Sequence, residues 1–128
     1  MSARIVRLGS PRCANEGLRI GTVRYPPRGV RKAEHAARDF YDVWLPLLAP
    51  AAATLKMGRV AQSDRDWRRF ERAYRAEMAA PEARAALDLL AALSHRTEFS
   101  VGCYCAEEIR CHRRVLRSLL MQRGAAVL

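Results

Sequence analysis

The stretch Phe99-Ser-Val-Gly-Cys-Tyr-Cys-Ala-Glu-Glu-Ile-Arg-Cys-His-Arg-Arg114 decides how this chain folds, because it joins the strongest strand signal to a helix. Phe99, Val101 and Cys103 alternate with Ser100, Gly102 and Tyr104, the two-residue period of a strand spanning Thr97 to Tyr104. A helix is expected from about Glu107 or Cys111 to Arg123: Val115, Leu116, Leu119 and Leu120 form one apolar face, and Gly124 supplies a stop. The same stretch holds three of the four cysteines and one of the three histidines, so chemistry is expected here.

Working outward, Arg4-Ile-Val-Arg-Leu-Gly9 reads as a short strand broken by Ser10, Pro11 and Arg12. Leu18 to Arg24 reads as a second strand, ended by Tyr25-Pro-Pro-Arg-Gly29, where neither proline can donate to a ladder. Phe40 to Leu45 reads as a strand stopped by Pro46, the alternative being the end of a helix begun near Lys32. Pro50 is expected to open a short helix to about Arg59, with Gly58 helping to end it.

Ser63-Asp-Arg-Asp resembles a capping box, and Trp67, Phe70, Tyr74 and Met78 then lie three or four apart on a helix from Asp64 to Ala80. Its opposite face carries Arg65, Arg68, Arg69, Arg72 and Arg75, interleaved with Asp66 and Glu71, the pattern of a solvated surface. Pro81 opens a further helix to near His95, with Ala85, Leu89, Ala92 and Leu93 expected inward. This order predicts one three-layer α/β domain over 1–128 (core about 4–123), with about four mostly parallel strands and helices on both faces. In such sheets ligands gather at the carboxyl ends of the strands.

A chain of 128 residues can bury roughly two-thirds of its unfolded surface, enough for a core without staples. Half the residues are hydrophobic, and no apolar run approaches the ~20 needed to cross a bilayer, so no membrane partner is expected. The N-terminus lacks a signal peptide's apolar core and cleavage site, and a cytoplasmic location is expected. Cysteines in that reducing setting are expected as thiols, metal ligands or redox groups rather than structural disulfides.

A net charge of +10 favours an anionic partner. Only Lys32 and Lys56 of the 23 basic residues are lysines, and the arginines are spread without a basic tract or an aromatic-interleaved RNA motif. Nucleic acid, gripped by the α-helical arginines above, is therefore the second reading rather than the first. No oligomeric state is fixed by the sequence.

Cys103 and Cys105, two apart on a strand, point to the same side, and Cys111 and His112 follow near a helix start. A helix N-terminus favours negative charge and lowers thiol pKa values, and Arg110, Arg113 and Arg114 act in the same direction. Several chemistries fit. Cys103, Cys105, Cys111 and His112 match a tetrahedral zinc (or iron) shell, although C-x-C followed by adjacent Cys-His is not the usual knuckle spacing. No cofactor is predicted outright. Alternatively Cys105 and Cys111 form a reversible thiol pair, or one is a nucleophile with His112 as its base.

In the leading reading, Arg24, Tyr25 and Arg28 from the second strand's exit face Arg113 and the cysteine cluster, and hold a small anionic ligand, with or without turnover. The plain alternative makes the cysteines buried apolar groups and His112 a packing residue. Cys111-His-Arg-Arg-Val-Leu-Arg117 matches the C-x5-R pattern of cysteine phosphatases, but without glycine its backbone cannot wrap a phosphate. No Gly-rich nucleotide fingerprint, P-loop lysine or H-E-x-x-H helix is present. His35 and His95 are expected at the surface or in caps.

Val23-Arg-Tyr-Pro-Pro-Arg-Gly29 resembles D-R-L-W-P-R-G, Trp44-Leu-Pro-Leu-Leu-Ala-Pro50 resembles W-L-x-x-L-A-P, and Trp67 to Glu77 resembles W-x-x-F-x-x-x-Y-x-x-E. With Gly102-Cys-Tyr-Cys and Cys111-His-Arg113, the chain from about Arg19 to Gly124 resembles the cysteine-bearing branch of YeaO-like members of the domain-of-unknown-function family 488. The resemblance implies a small bacterial α/β domain and no established reaction. Thr22-Val-Arg24 stands where the family commonly has V-D-R, so no role resting on that carboxylate is expected here.

Overall fold

The strand β4, Phe99–Cys103, is buried at all five residues, which places it inside the sheet rather than at an edge. In the computed structural model, which describes residues 1–128, β4 lies between β1 (Ala3–Arg7) and β2 (Leu18–Gly21), and β3 (Val43–Trp44) adds to β2. All pairs are parallel, with Val101 level with both Ile5 and Ile20. The helices are α1 (Ala52–Val60), α2 (Asp64–Met78), α3 (Pro81–Leu93) and α4 (His112–Gln122). The chain is thus an α/β protein with a four-stranded parallel sheet, and none of its helices is long and apolar enough to cross a membrane.

One face of the sheet presents Ala3, Ile20, Phe99 and Val101 to the helices. The stripe Trp67, Phe70, Tyr74 and Met78 of α2, Leu87 and Leu90 of α3, and Val115 to Leu120 of α4 close over them in one core. The other face is covered by residues 8–17 and 30–42, whose regular part is a 3-10 turn at Lys32–Glu34. Backbone lies very close there. A Cβ on Gly21 would collide with the Tyr41 ring, and one on Gly102 would sit 2.7 Å from the Leu8 side chain. Connections moving from β1 to β2 and on to β3 cross this second face, whereas the return from β3 to β4 crosses the helical face. All therefore turn with one hand.

Local signals explain most element ends. Ser63 Oγ accepts from Asp66 N (3.1 Å), and Asp66 Oδ2 accepts from Gln62 N (3.3 Å), one residue beyond the position a capping box normally reaches. Gly124, at φ 79°, follows α4 in the left-handed conformation that closes a helix.

Several expectations are corrected. The strand at 40–45 shrinks to Val43–Trp44, and the alternative of a helix running from Lys32 is broken by Asp39 at φ 63°. Strand β2 stops at Gly21: Thr22 N makes the last ladder bond, to Gly102 O, and Val23 and Arg24 pair with no strand. Pro50 precedes α1 rather than opening it. Gly58 lies inside that helix, where the missing side chain lets the Phe70 ring pack at 3.0 Å from a virtual Cβ. On α3 the inner face is Ala83, Leu87, Leu90 and Ala91; Ala85, Leu89, Ala92 and Leu93 are exposed. The helix is rotated because Leu87 and Leu90, not Leu89 and Leu93, meet the core. His35 is buried with its ring 5.1 Å from Tyr41, whereas His95 is exposed and reaches Gly124 O.

Candidate functional site

The carboxyl ends of β2 and β4 meet the start of α4 at a cavity of about 250 Å³. Hydrogen bonds hold the three segments together. Thr22 N and Thr22 Oγ1 both donate to Gly102 O, at 3.0 and 2.9 Å. Tyr104 OH donates to Tyr25 O at 2.9 Å. His112 Nε2 lies 2.6 Å from Thr22 O, and since a carbonyl can only accept, that nitrogen carries the proton.

The buried inner wall is lined by Trp67, Phe70, Cys103, Cys111 and His112, and the exposed mouth by Tyr25, Arg59, Cys105 and Arg110. The strand turn puts Cys103 and Cys105 side by side, with Cys103 Sγ donating to Cys105 Sγ at 3.5 Å. Cys111, the N-cap of α4, donates to Cys103 Sγ at 3.2 Å. His112 Nδ1, left with a free lone pair, faces Cys111 Sγ at 3.9 Å. The donor atoms of Cys103, Cys111 and His112 all lie within 4.8 Å of one another.

This packing splits the thiols electrostatically. The hydrogen bond from Cys103, with Cys111 close behind it, holds the Cys105 thiol below its ordinary pKa, helped by the nearby charge of Arg113. The Cys103 and Cys111 thiols are pushed up, because they donate to a neighbouring sulfur and are buried. Burial lowers the His112 pKa to about 4, against its hydrogen bond to Thr22 O, so the ring is neutral near pH 7. The arrangement can therefore do two things: keep a thiolate on Cys105, or turn three sulfurs and one imidazole nitrogen toward a soft cation.

Of the arginines read from the sequence, Arg24 lines the cavity, but three of its bonds hold Pro46, Ala49 and Pro50 carbonyls at 3.0–3.1 Å. It fastens the loop before α1. Arg28 lies in an adjoining groove that shares Tyr25, Arg59 and Tyr104 with the cavity. Arg113 is buried outside the cavity wall, and its Nε has no partner. Arg110, read from the sequence as favouring negative charge at the cluster, lies at the mouth; sequence reasoning did not reach Arg59 or Trp67 as site residues. Trp67 carries a usable signal, since an indole N–H in a core stripe needs an acceptor; its Nε1 is buried without one. Along α2, Arg65, Arg68, Arg69 and Arg72 are exposed and Arg75 pairs with Glu71, a solvated face. The segment Cys111 to Arg117 is helical, as its lack of glycine requires.

The fold and the cavity define a small parallel α/β protein with a cysteine and histidine cluster at the sheet's carboxyl edge. The chain belongs to the DUF488-N3a family, described as the active DUF488-N3 subclade, whose model matches residues 3–124. No curated protein and no solved structure matches it.

Proposed function

We propose that the cavity binds a small molecule with an apolar body and one anionic group. The observation that carries this reading is Trp67: it lines the cavity, and its buried Nε1–H has no partner. A buried donor left unmade costs about 1–3 kcal/mol, which an acceptor on a ligand would recover. Arg59 and Arg110 at the mouth supply the positive charge, Arg110 being tied to Asp64 at 2.9 Å and Arg59 standing exposed. Nine of the 15 lining residues are hydrophobic, which suits the body of such a ligand. This moves the anion-binding role from Arg28 and Arg113 to Arg59 and Arg110.

Phenyl phosphate has the required chemistry and serves as a probe. Calorimetry should give saturable binding at one site, with inorganic phosphate weaker because it lacks the apolar body. Arg59→Gln should weaken phenyl phosphate about tenfold, the loss of roughly 1.4 kcal/mol. Binding that does not saturate, or that Arg59→Gln leaves unchanged, would rule the reading out. A nucleic-acid grip would instead show a single- or double-strand affinity that falls steeply with salt.

A further inference from the structure

We propose that Cys103, Cys111 and His112 form a zinc site in the inner wall of the cavity, with Cys105 completing a tetrahedral shell. The inference goes beyond the ligand reading and does not depend on it. The donor atoms are already gathered. Two thiolates at ~2.3 Å from Zn2+ in a tetrahedral shell lie about 3.8 Å apart, and a thiolate and an imidazole nitrogen about 3.6 Å. Here Cys103 is 3.5 Å from Cys105 and 3.2 Å from Cys111, and Cys111 is 3.9 Å from His112 Nδ1. In these contacts shifts of about half an ångström separate Cys103, Cys111 and His112 from a coordination shell, whereas Cys105, outside the group gathered within 4.8 Å, must swing further from the exposed turn that carries it.

The histidine is set as a ligand. Its Nε2–H is held by Thr22 O at 2.6 Å, which fixes both the tautomer and the ring plane and leaves the Nδ1 lone pair toward the sulfurs. Zinc-bound histidines are commonly oriented by such an outer hydrogen bond to a carbonyl. The Tyr74 ring abuts the imidazole edge-on, 5.4 Å away at 72°, and restricts its rotation further.

Charge supplies an independent argument. Arg113, the residue after His112, is 4% exposed, has an unpartnered Nε and forms no ion pair. A buried cation without a counter-charge is costly. Zn2+ held by three thiolates and a neutral imidazole carries one net negative charge, which Arg113 and the N-terminus of α4 would balance. Each thiol gives up its proton to solvent as it coordinates, and no redox step is involved. Three sulfurs and an imidazole select Zn2+ over magnesium or calcium, which prefer oxygen. Cys13 is exposed and lies outside the cluster.

The test uses the intact protein, freshly reduced and stripped of metal, titrated with Zn2+ and with Co2+ alone. One equivalent should bind, the cobalt form should show thiolate charge-transfer absorption, and the metal should shield Cys103, Cys105 and Cys111 from alkylation while Cys13 still reacts. Cys111→Ser should weaken binding more than about 100-fold. His112→Cys should retain the metal where His112→Ala loses it, a rescue that a packing role for His112 does not predict. Arg59→Gln should leave metal affinity unchanged. Phenyl phosphate binding measured on the stripped protein reads the cavity separately, so either reading can fail alone. No saturable equivalent in the unaltered protein would overturn the site. So would a metal that survives both Cys111→Ser and His112→Ala, or a Cys103–Cys111 disulfide forming while added Zn2+ stays free.

Discussion

Two buried polar clusters flank the central strand, and they differ in how completely they are satisfied. On the second face Ser100 donates to Glu16, and Arg19 grips the same carboxylate through Nε and Nη2 at 2.6 and 2.8 Å. Arg19 Nη1 reaches both Ser10 O and Asp39 O, and Cys13 N completes the ring around Glu16. Glu16 and Arg19 are 1% and 0% exposed, so this network is sealed, and it ties residues 8–17 and 39 across the sheet. On the helical face, at the strand's carboxyl end, the sulfurs and His112 make hydrogen bonds only with one another, Cys105 N and Thr22 O, while Trp67 Nε1 and Arg113 Nε go unpaired. A closed network builds a fold; open valences beside a cavity mark a place prepared for something else.

Breaking the closed side should cost the most. Glu16→Ala would leave Arg19 charged, buried and alone, and should destabilise the protein by about 3–5 kcal/mol in urea unfolding. A loss under about 1 kcal/mol would mean that the network is not what holds the second face. Acid reads the same pair. The Arg19 and Ser100 hydrogen bonds hold the Glu16 pKa at about 2, against the desolvation of burial, where an unfolded chain has 4.5. A depressed carboxylate stabilises the fold fully above the unfolded value and loses that contribution as pH falls from about 4.5 toward 2, roughly 3 kcal/mol in all. Glu16→Gln should flatten this limb of an acid titration followed by circular dichroism.

Gly102→Ala sits between the two regions. Its Cβ would press on Leu8 and on Val6 O, both at 2.7 Å, so a cost of about 1–3 kcal/mol in thermal unfolding is expected. An unchanged melting temperature would show that the second face is looser than its contacts indicate. The open side should respond in the opposite sense. Trp67→Phe removes an N–H that bonds nothing in the fold, so stability should change by less than about 1.5 kcal/mol while phenyl phosphate binding weakens. Equal losses in both would make Trp67 a core residue only.

How far the chain could be read in advance follows the same division. The alternation in Phe99 to Cys103 and the 3–4 spacing of Trp67, Phe70, Tyr74 and Met78 are local patterns, and both elements stand where those patterns put them. On α3 the nine Ala and Leu residues are spread around the helix, so composition gave no preferred face, and packing against α2 and α4 chose Leu87 and Leu90. The gathering of Cys103, Cys105, Cys111 and His112 was visible because a strand turn and a helix start are close in sequence. The partners of the arginines were not. Whether Arg24 bonds loop carbonyls, or Glu16 finds Arg19 and Ser100, depends on contacts up to 84 residues apart that no spacing rule encodes.

The two tryptophans of this chain offer the most direct test of the open cavity. Trp44 Nε1 donates to Val23 O at 2.8 Å, whereas Trp67 Nε1 has no acceptor. Their indole N–H resonances should be followed by NMR as phenyl phosphate is added. The account predicts that the Trp67 signal moves saturably, in the direction of a newly formed hydrogen bond, while Trp44 stays in place. Two stationary signals, or a Trp44 shift that matches that of Trp67, would contradict it.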